Sequence, residues 1–255
     1  MAEDFLAGLE QVDARVGGFA CKLPLVVRDA RVVSAVFPAA VGKLRELFPQ
    51  GGRDQLVPAQ LVPGMGMVQL TAYEHRDSDI GPYREFSVVI PVYSPRFPAL
   101  PAYNLYRAAR AKEVHNFLYR RAADSEAAVR VLREHHRWPM FPASIEFSEE
   151  GDWVSCEVKE GGELVCRLRG RKIPTRKVGR VRILIYTPDL PRPQRADINP
   201  EESGTSRDPA QVQLTLGKYH PLAADLSAAL GSTRPRVYNY GPRWQFILYG
   251  PESGE

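Results

Sequence analysis

Lysine is scarce in this chain. Of its 34 basic side chains only seven are lysines, at positions 22, 43, 112, 159, 172, 177 and 218, and the other 27 are arginines. An amine nucleophile therefore has few places to stand. Cysteine is scarcer still. Cys21, Cys156 and Cys166 lack metal-ligand spacing, and their odd number points to free thiols in a reducing compartment, with the cytoplasm as the default. No apolar run approaches the roughly 18 residues of a membrane span. The opening MAEDFLAGLEQVDARVGG is acidic and lacks the continuous apolar core of a signal peptide. No glycine-rich phosphate loop, alternating βα pattern, GxSxG elbow or HExxH is present. His135 and His136 point in different directions on a helix and have no clustered third ligand, so no metal is expected, and nothing calls for a cofactor. The densest basic run, RLRGRK at 167–172, has no interleaved aromatics and no accompanying motif, which argues against nucleic acid.

What remains is an ordinary globular composition with a net charge of +4. The arginine excess reads either as solvated surface or as a site for carboxylate or phosphate, which guanidinium contacts in bidentate fashion. Strand patterns dominate. Residues 23–37 are rich in Val, 67–75 alternate, 84–93 read as a strand whose SVVIPV is apolar on both faces, and 115–121 and 179–187 read as further strands. VGKLRELFP (41–49) is a short helix stopped by Pro49. Residues 1–15 show a weak helical pattern, 50–66 are turn-rich, and 94–111 are ambiguous. SEAAVRVLREHH from 125 is a helix with Asp124 as its cap.

A Trp-Pro turn ends that helix, and the chain beyond 142 is almost wholly β. In the hairpin around EGG, pairing Lys159 with Glu163 would set Cys156 opposite Cys166, a consequence of register and no functional disulfide. Residues 189–209 are polar and Pro-rich and read as an exposed loop. Strands at QVQLTL and the C-terminal RVYNYGPRWQFILYG flank a short helix, PLAADLSAAL. The whole predicts one domain over 1–255, an α+β fold built on a closed or nearly closed antiparallel sheet, with 1–19 as an N-terminal extension.

YEHRDSDIGPYREFSVVIPVY (73–93) resembles the signature of the acetoacetate decarboxylase superfamily, where a Gly-x-Tyr-x-Glu turn leads into a strand ending Ile-Pro-Val. AVFPAAVGKLRELFP (35–49), the helix, turn and strand of 124–147, and RVRILIY with the closing strands are similar to successive elements of that family. The resemblance runs over roughly 20–250. It implies a closed, cone-shaped antiparallel β-barrel with a few short helices, an interior active site, and oligomeric assembly. It also implies a Schiff-base lysine activated by apolar surroundings and a neighbouring cation.

In the family the lysine pair follows a Pro. Here the turn is Trp138-Pro139-Met140-Phe141, so Met140 stands at the nucleophile position and Phe141 at that of its cationic neighbour. Neither can form an imine, and both can line an apolar pocket. By the same resemblance, Leu70 falls on another active-site glutamate, Glu85 matches the carboxylate near the reacting carbon, and Tyr83 belongs to the turn. Arg28 is the candidate for the carboxylate-binding arginine, with Arg31 facing the other side.

Three functional readings follow. The first is an interior site for a small organic acid or keto compound, without imine chemistry. It would use Glu85 as acid/base or acceptor, Arg28 as anion partner, and Leu70, Tyr83, Met140 and Phe141 as lining. The second is a lyase that recruits Lys22, Lys112 or Lys218. The third is a binding or assembly protein without chemistry. Taken alone, Glu85 reads equally as an ion-paired residue at a strand start. A buried Glu85 needs an arginine, either Arg28, Arg84 or another, or else its pKa rises.

Overall fold

The computed structural model describes residues 5–49, 56–93, 110, 112–189 and 192–251. The ambiguous stretch 94–109 lies outside the described residues, as do 50–55 of the turn-rich segment. The strands are β1 (Val12–Val16), β2 (Phe19–Leu23), β3 (Leu25–Ala40), β4 (Gln60–Val62), β5 (Met65–Ser78), β6 (Tyr83–Pro91), β7 (Glu113–Ala123), β8 (Met140–Pro142), β9 (Ser144–Glu150), β10 (Trp153–Glu160), β11 (Glu163–Arg171), β12 (Val181–Tyr186), β13 (Gln194–Ser206), β14 (Val212–Leu216) and β15 (Val237–Leu248). Three short helices join them: α1 (Val41–Glu46), α2 (Glu126–Glu134) and α3 (Pro221–Ala229). No helix among the described residues is long and apolar enough to cross a membrane.

Seven strands close on themselves in the order β3–β5–β6–β7–β12–β13–β15 and back to β3. Six of the seven seams are antiparallel, and the closing seam between β7 and β12 is parallel. The barrel expected from the resemblance is therefore present, with one parallel seam in place of a wholly antiparallel wall. Closure removes the exposed sheet edges that an open sheet of this length would carry. A second, four-stranded sheet runs β14–β11–β10–β9.

Strand alternation sorts the apolar residues into two layers. One cluster takes Leu25, Val27, Ala30, Val32, Tyr83, Leu118, Ile185, Ala196, Ile198 and Phe246, with Tyr73 packed on it. It draws on all seven barrel strands and is therefore the interior. It also takes Val131 and Leu132 of α2, Trp138 and Met140, and residues of the β1–β2 hairpin. The other cluster joins Phe37, Leu70, Phe86 and Val88 to Val154, Cys156, Cys166 and Leu168 of the second sheet, and to Leu222 and Leu226 of α3. It is the layer between the barrel's outer face and that sheet.

Four local expectations change. Residues 194–206 form barrel strand β13 where their polarity reads as an exposed loop. Gln194, Ala196 and Ile198 face inward while Arg195, Asp197 and Asn199 alternate with them, and the inward residues are too few and small to stand out as an apolar run. The N-terminal segment forms the β1–β2 hairpin where a weak helix was expected. The hairpin turns at Gly17 (φ +57°), where a Cβ would come within 2.9 Å of Arg130 Cβ on α2. Ser125, not Asp124, caps α2: its hydroxyl accepts from Ala128 N at 3.4 Å, while Asp124 accepts from Arg84 N at 2.7 Å.

In the β10–β11 hairpin Gly161 and Gly162 (φ +58° and +87°) make the turn, so Glu160 faces Glu163. A register shift after Val158 then sets Cys156 opposite Leu168 and Cys166 opposite Val158. All three cysteines are free and buried. Burial pushes the Cys156 and Cys166 thiols well above their ordinary range, which suppresses the reactive thiolate. Thiol titration in denaturant without reductant is expected to count three thiols, and the native protein to react far more slowly. A count of one would mean that the two core thiols are bridged.

Candidate functional site

The register of β5, β6, β7 and β8 places a set of polar side chains on the inner wall. His75 pairs with Tyr83, Tyr73 with Glu85 and Thr71 with Ser87. Ser87 pairs with Arg121, and Arg121 with Met140. Directly opposed residues share a face, so all of these point to the interior side. Glu85 is 2% exposed, His75 5% and Arg121 8%. Arg121 is the one buried arginine or lysine among the described residues.

Arg121 Nε stands 3.2 Å from Glu85 Oε1, and its guanidinium lies over the Trp138 ring, 4.1 Å from the centroid. Such stacking suits a planar cation that is weakly hydrated. His75 Nε2 is 3.9 Å from Glu85 Oε2, too long for a hydrogen bond but close for charge attraction. The imidazole packs between Tyr73 (5.4 Å between centroids), Tyr83 (4.4 Å) and Phe246 (5.8 Å).

Burial by itself raises the Glu85 carboxyl pKa. The charge of Arg121 and the attraction of His75 outweigh it and leave the group below its usual range, hence ionised at neutral pH. Burial, reinforced by Glu85, holds the Tyr83 phenol well above its usual range, so it is a neutral donor. Both ring nitrogens of His75, the Tyr83 hydroxyl and Trp138 Nε1 are buried and have no hydrogen-bond partner among the described residues. Buried polar atoms are satisfied in the great majority of cases, and these exceptions stand together on one wall.

The turn that carries Met140 is tied from both sides. Arg137 takes a left-handed conformation (φ +54°) that ends the helical run. Trp138 N donates to Leu132 O at 3.2 Å, Arg121 N to Pro139 O at 3.1 Å, and Arg133 Nη2 to Met140 O at 2.6 Å. The turn's geometry thus rests on backbone bonds and on Arg133, and is independent of the side chain at 140.

Of the six residues singled out from the sequence, Glu85, Tyr83 and Met140 come together on this wall. Leu70 and Phe141 do not: both belong to the outer layer. With a period of two, one step along the strand reverses the face, so Thr71 and Tyr73 take the inner positions on β5. Arg28 is also displaced. Its guanidinium is partly exposed and held by Asp79 at 2.5 Å and Asp77 at 3.6 Å. Arg31, expected on the other side, pairs with Glu74 at 2.8 Å and with Glu149 of the second sheet. Neither Arg28 nor Arg84, which pairs with Asp124, is the partner of Glu85.

Arg121 and His75 are the functional candidates missed from the sequence. For His75 the signal was alternation, since Tyr73 and His75 face in while Glu74 and Arg76 face out; Arg121 faces in and Arg120 is exposed, a choice that only the strand register makes. None of the seven lysines is buried, and Lys22, Lys112 and Lys218 are exposed. No three metal-ligating side chains cluster among the described residues. His136 sits in the core, where burial and His135 push its pKa down to about 3; its Nδ1 meets Gln194 Oε1 at 3.0 Å. An open cleft of about 930 Å³ lies elsewhere, between α2 and the β10–β11 turn. Two of its lining cations are paired, Arg130 with Glu126 at 3.1 Å and Lys159 with Glu157.

The fold is a closed seven-stranded β-barrel with a buried ion pair on its inner wall. Residues 32–178 match the model of the acetoacetate decarboxylase (ADC) family, and the chain belongs to that family. No curated protein sequence matches the chain. Among solved structures it resembles the acetoacetate decarboxylase of Legionella pneumophila subsp. pneumophila str. Philadelphia 1, with 17% identity, a TM-score of 0.61, and 89% of this chain covering 86% of that one. The enduracididine biosynthesis enzyme MppR, solved in complex with pyruvate, is similar at 11% identity and a TM-score of 0.58, with 96% of this chain covering 91% of that one.

Removing one member of a buried ion pair leaves an uncompensated charge. Arg121→Ala is expected to cost about 3–5 kcal/mol, and Glu85→Leu combined with Arg121→Met to recover much of it. The Glu85 carboxyl is lowered by folding, so its ionisation stabilises the fold above the ordinary glutamate range. That contribution is lost as pH falls through the lowered value. The stability of the wild type relative to the double variant should therefore fall from pH 7 towards pH 3. Denaturant midpoints at the two values check this, and a pH-independent difference would remove the pair from the account.

Proposed function

We propose that this protein binds a small organic acid or keto compound on the inner wall of its barrel, without Schiff-base chemistry. The observation that carries the reading is the cluster of buried, hydrogen-bond-deficient polar atoms around the Glu85–Arg121 pair, on the same wall as Met140. Resemblance to the family puts the imine-forming lysine at Met140, whose thioether has no nucleophilic nitrogen. The surface positions of all seven lysines count against a lyase that recruits another one.

In this reading the cation beside the reacting carbon comes from β7. Arg121 takes the place that a lysine pair holds in the family. A guanidinium stays protonated and cannot condense with a carbonyl, so it supplies charge and no covalent chemistry. Glu85 is the fixed anion that orients Arg121, and Tyr83 donates to the ligand's oxygen. The ligand class draws support from the solved complex of MppR with pyruvate. A polar interior of this kind counts against a purely structural barrel, since a filled apolar core would avoid the burial of a charged pair.

Ligand-observed NMR with pyruvate and acetoacetate should show binding, weakened about 2- to 10-fold by Tyr83→Phe, the loss of one hydrogen bond. Borohydride added to either mixture should give no mass adduct, and carbon dioxide release from acetoacetate should stay at the buffer rate. A reduced adduct on any lysine would overturn the reading.

A further inference from the structure

We infer that His75 is the general base of this interior site, acting on small carbonyl compounds that carry an acidic hydrogen beside the carbonyl. The inference rests on the interior-site reading above and assigns it a reaction: proton transfer at carbon without a covalent intermediate.

His75 lies on β5, is 5% exposed, and faces the inner wall with neither ring nitrogen hydrogen-bonded to a described residue. A core histidine kept for packing is ordinarily tied by at least one nitrogen, as His136 is to Gln194 at 3.0 Å. The groups facing His75 are few. From β6 come Glu85, at 3.9 Å from Nε2, and the Tyr83 ring; from its own strand comes Tyr73; from β15 comes Phe246; and β3 contributes Ala30 opposite it. Arg121 of β7 reaches this group through Glu85.

The carboxylate on the Nε2 side favours the tautomer with its proton there and leaves the lone pair on Nδ1. A histidine serves as a base through the ring nitrogen that carries the lone pair, and Nδ1 is the nitrogen turned away from Glu85. Glu85 is held ionised by Arg121, so it can favour that tautomer without taking the proton itself.

The step balances within the site. Nδ1 takes the α-hydrogen as a proton. The C–H electron pair becomes the carbon–carbon π bond of an enolate, and the carbonyl π pair moves to oxygen. There the Tyr83 hydroxyl and the Arg121 guanidinium supply positive hydrogen-bond density. Return of a solvent-derived proton from His75 to carbon restores the ketone, with no oxidant, reductant or leaving group.

The test follows the methyl protons of pyruvate in deuterium oxide by proton NMR. The wild-type protein is expected to exchange them faster than buffer. His75→Gln should lose about 100-fold or more of the enzymatic rate while still binding pyruvate in a ligand-observed experiment and keeping the wild-type circular dichroism spectrum. If the Gln variant does not fold, His75→Asn takes its place under the same two controls. Exchange at the wild-type rate in a folded His75 variant would overturn the inference, as would a wild-type protein that binds pyruvate but exchanges it no faster than buffer; either result leaves the binding site standing. Absence of binding by both pyruvate and acetoacetate would overturn the interior-site reading and this inference with it.

Discussion

A carboxylate that stays ionised inside a closed barrel needs a cation or donors, and the position of that cation decides much of what surrounds it. Glu85 enters the interior because Tyr83 and Ser87 on the same strand do, and a strand cannot turn one residue round without a bulge. Its charge is answered by Arg121 from the next strand, at 3.2 Å. Arg121 in turn needs a surface for its guanidinium, and Trp138 supplies it. The Trp-Pro turn after α2 is thus more than a helix stop: it is the platform under the buried cation.

The same pair explains how a site of this family can keep its shape with Met140 in it. The turn's backbone is fixed by Leu132, Arg121, Pro139 and Arg133, none of which bonds to the side chain at 140. A buried positive charge, Arg121, stands one strand away, in register with Met140. In the proposed reading, field and nucleophile, which a lysine pair combines, are separated: Arg121 keeps the field, and Met140 brings no nucleophile. What such a field can still do is polarise a carbonyl and stabilise negative charge on its oxygen. Proton transfer is chemistry of that kind.

The fold was legible in the sequence to the extent that its strands were apolar. SVVIPV, RVRILIY and the Val-rich first long strand mark themselves, and GPYRE placed them in a family. β13 did not, because a barrel wall needs inward residues only at alternate positions, and Gln194, Ala196 and Ile198 are too modest to outweigh Asp197, Asn199 and Glu201. The candidate site was legible in part for a related reason. Glu85, Tyr83 and Met140 sit where the motif put them. Leu70 and Phe141 miss by one residue, which on a strand is the whole thickness of the sheet. Arg28 misses because β3 is irregular near its start, with register shifts between Val27, Asp29 and Ala30, and because Asp79 offers it a partner at the surface. Arg121 could not be told from Arg120 until the register of β6 and β7 was known.

That register also bears on His75. Parity along β5 puts Tyr73 and His75 inside and Glu74 and Arg76 outside, so the outward residues join salt bridges with Arg31 and Asp29 while the inward ones meet rings, Glu85, Arg121 and one another. An imidazole in an apolar wall would be better replaced by a ring of carbon if packing were its whole purpose, since each buried nitrogen without a partner costs about 1–3 kcal/mol. Glu85 and Arg121 carry a similar cost in desolvation, offset by their mutual attraction only because their geometry is close. Three expensive groups on one wall, facing a methionine that asks nothing of them, are hard to account for as core. They are accounted for at once if the wall serves a polar molecule that arrives from outside.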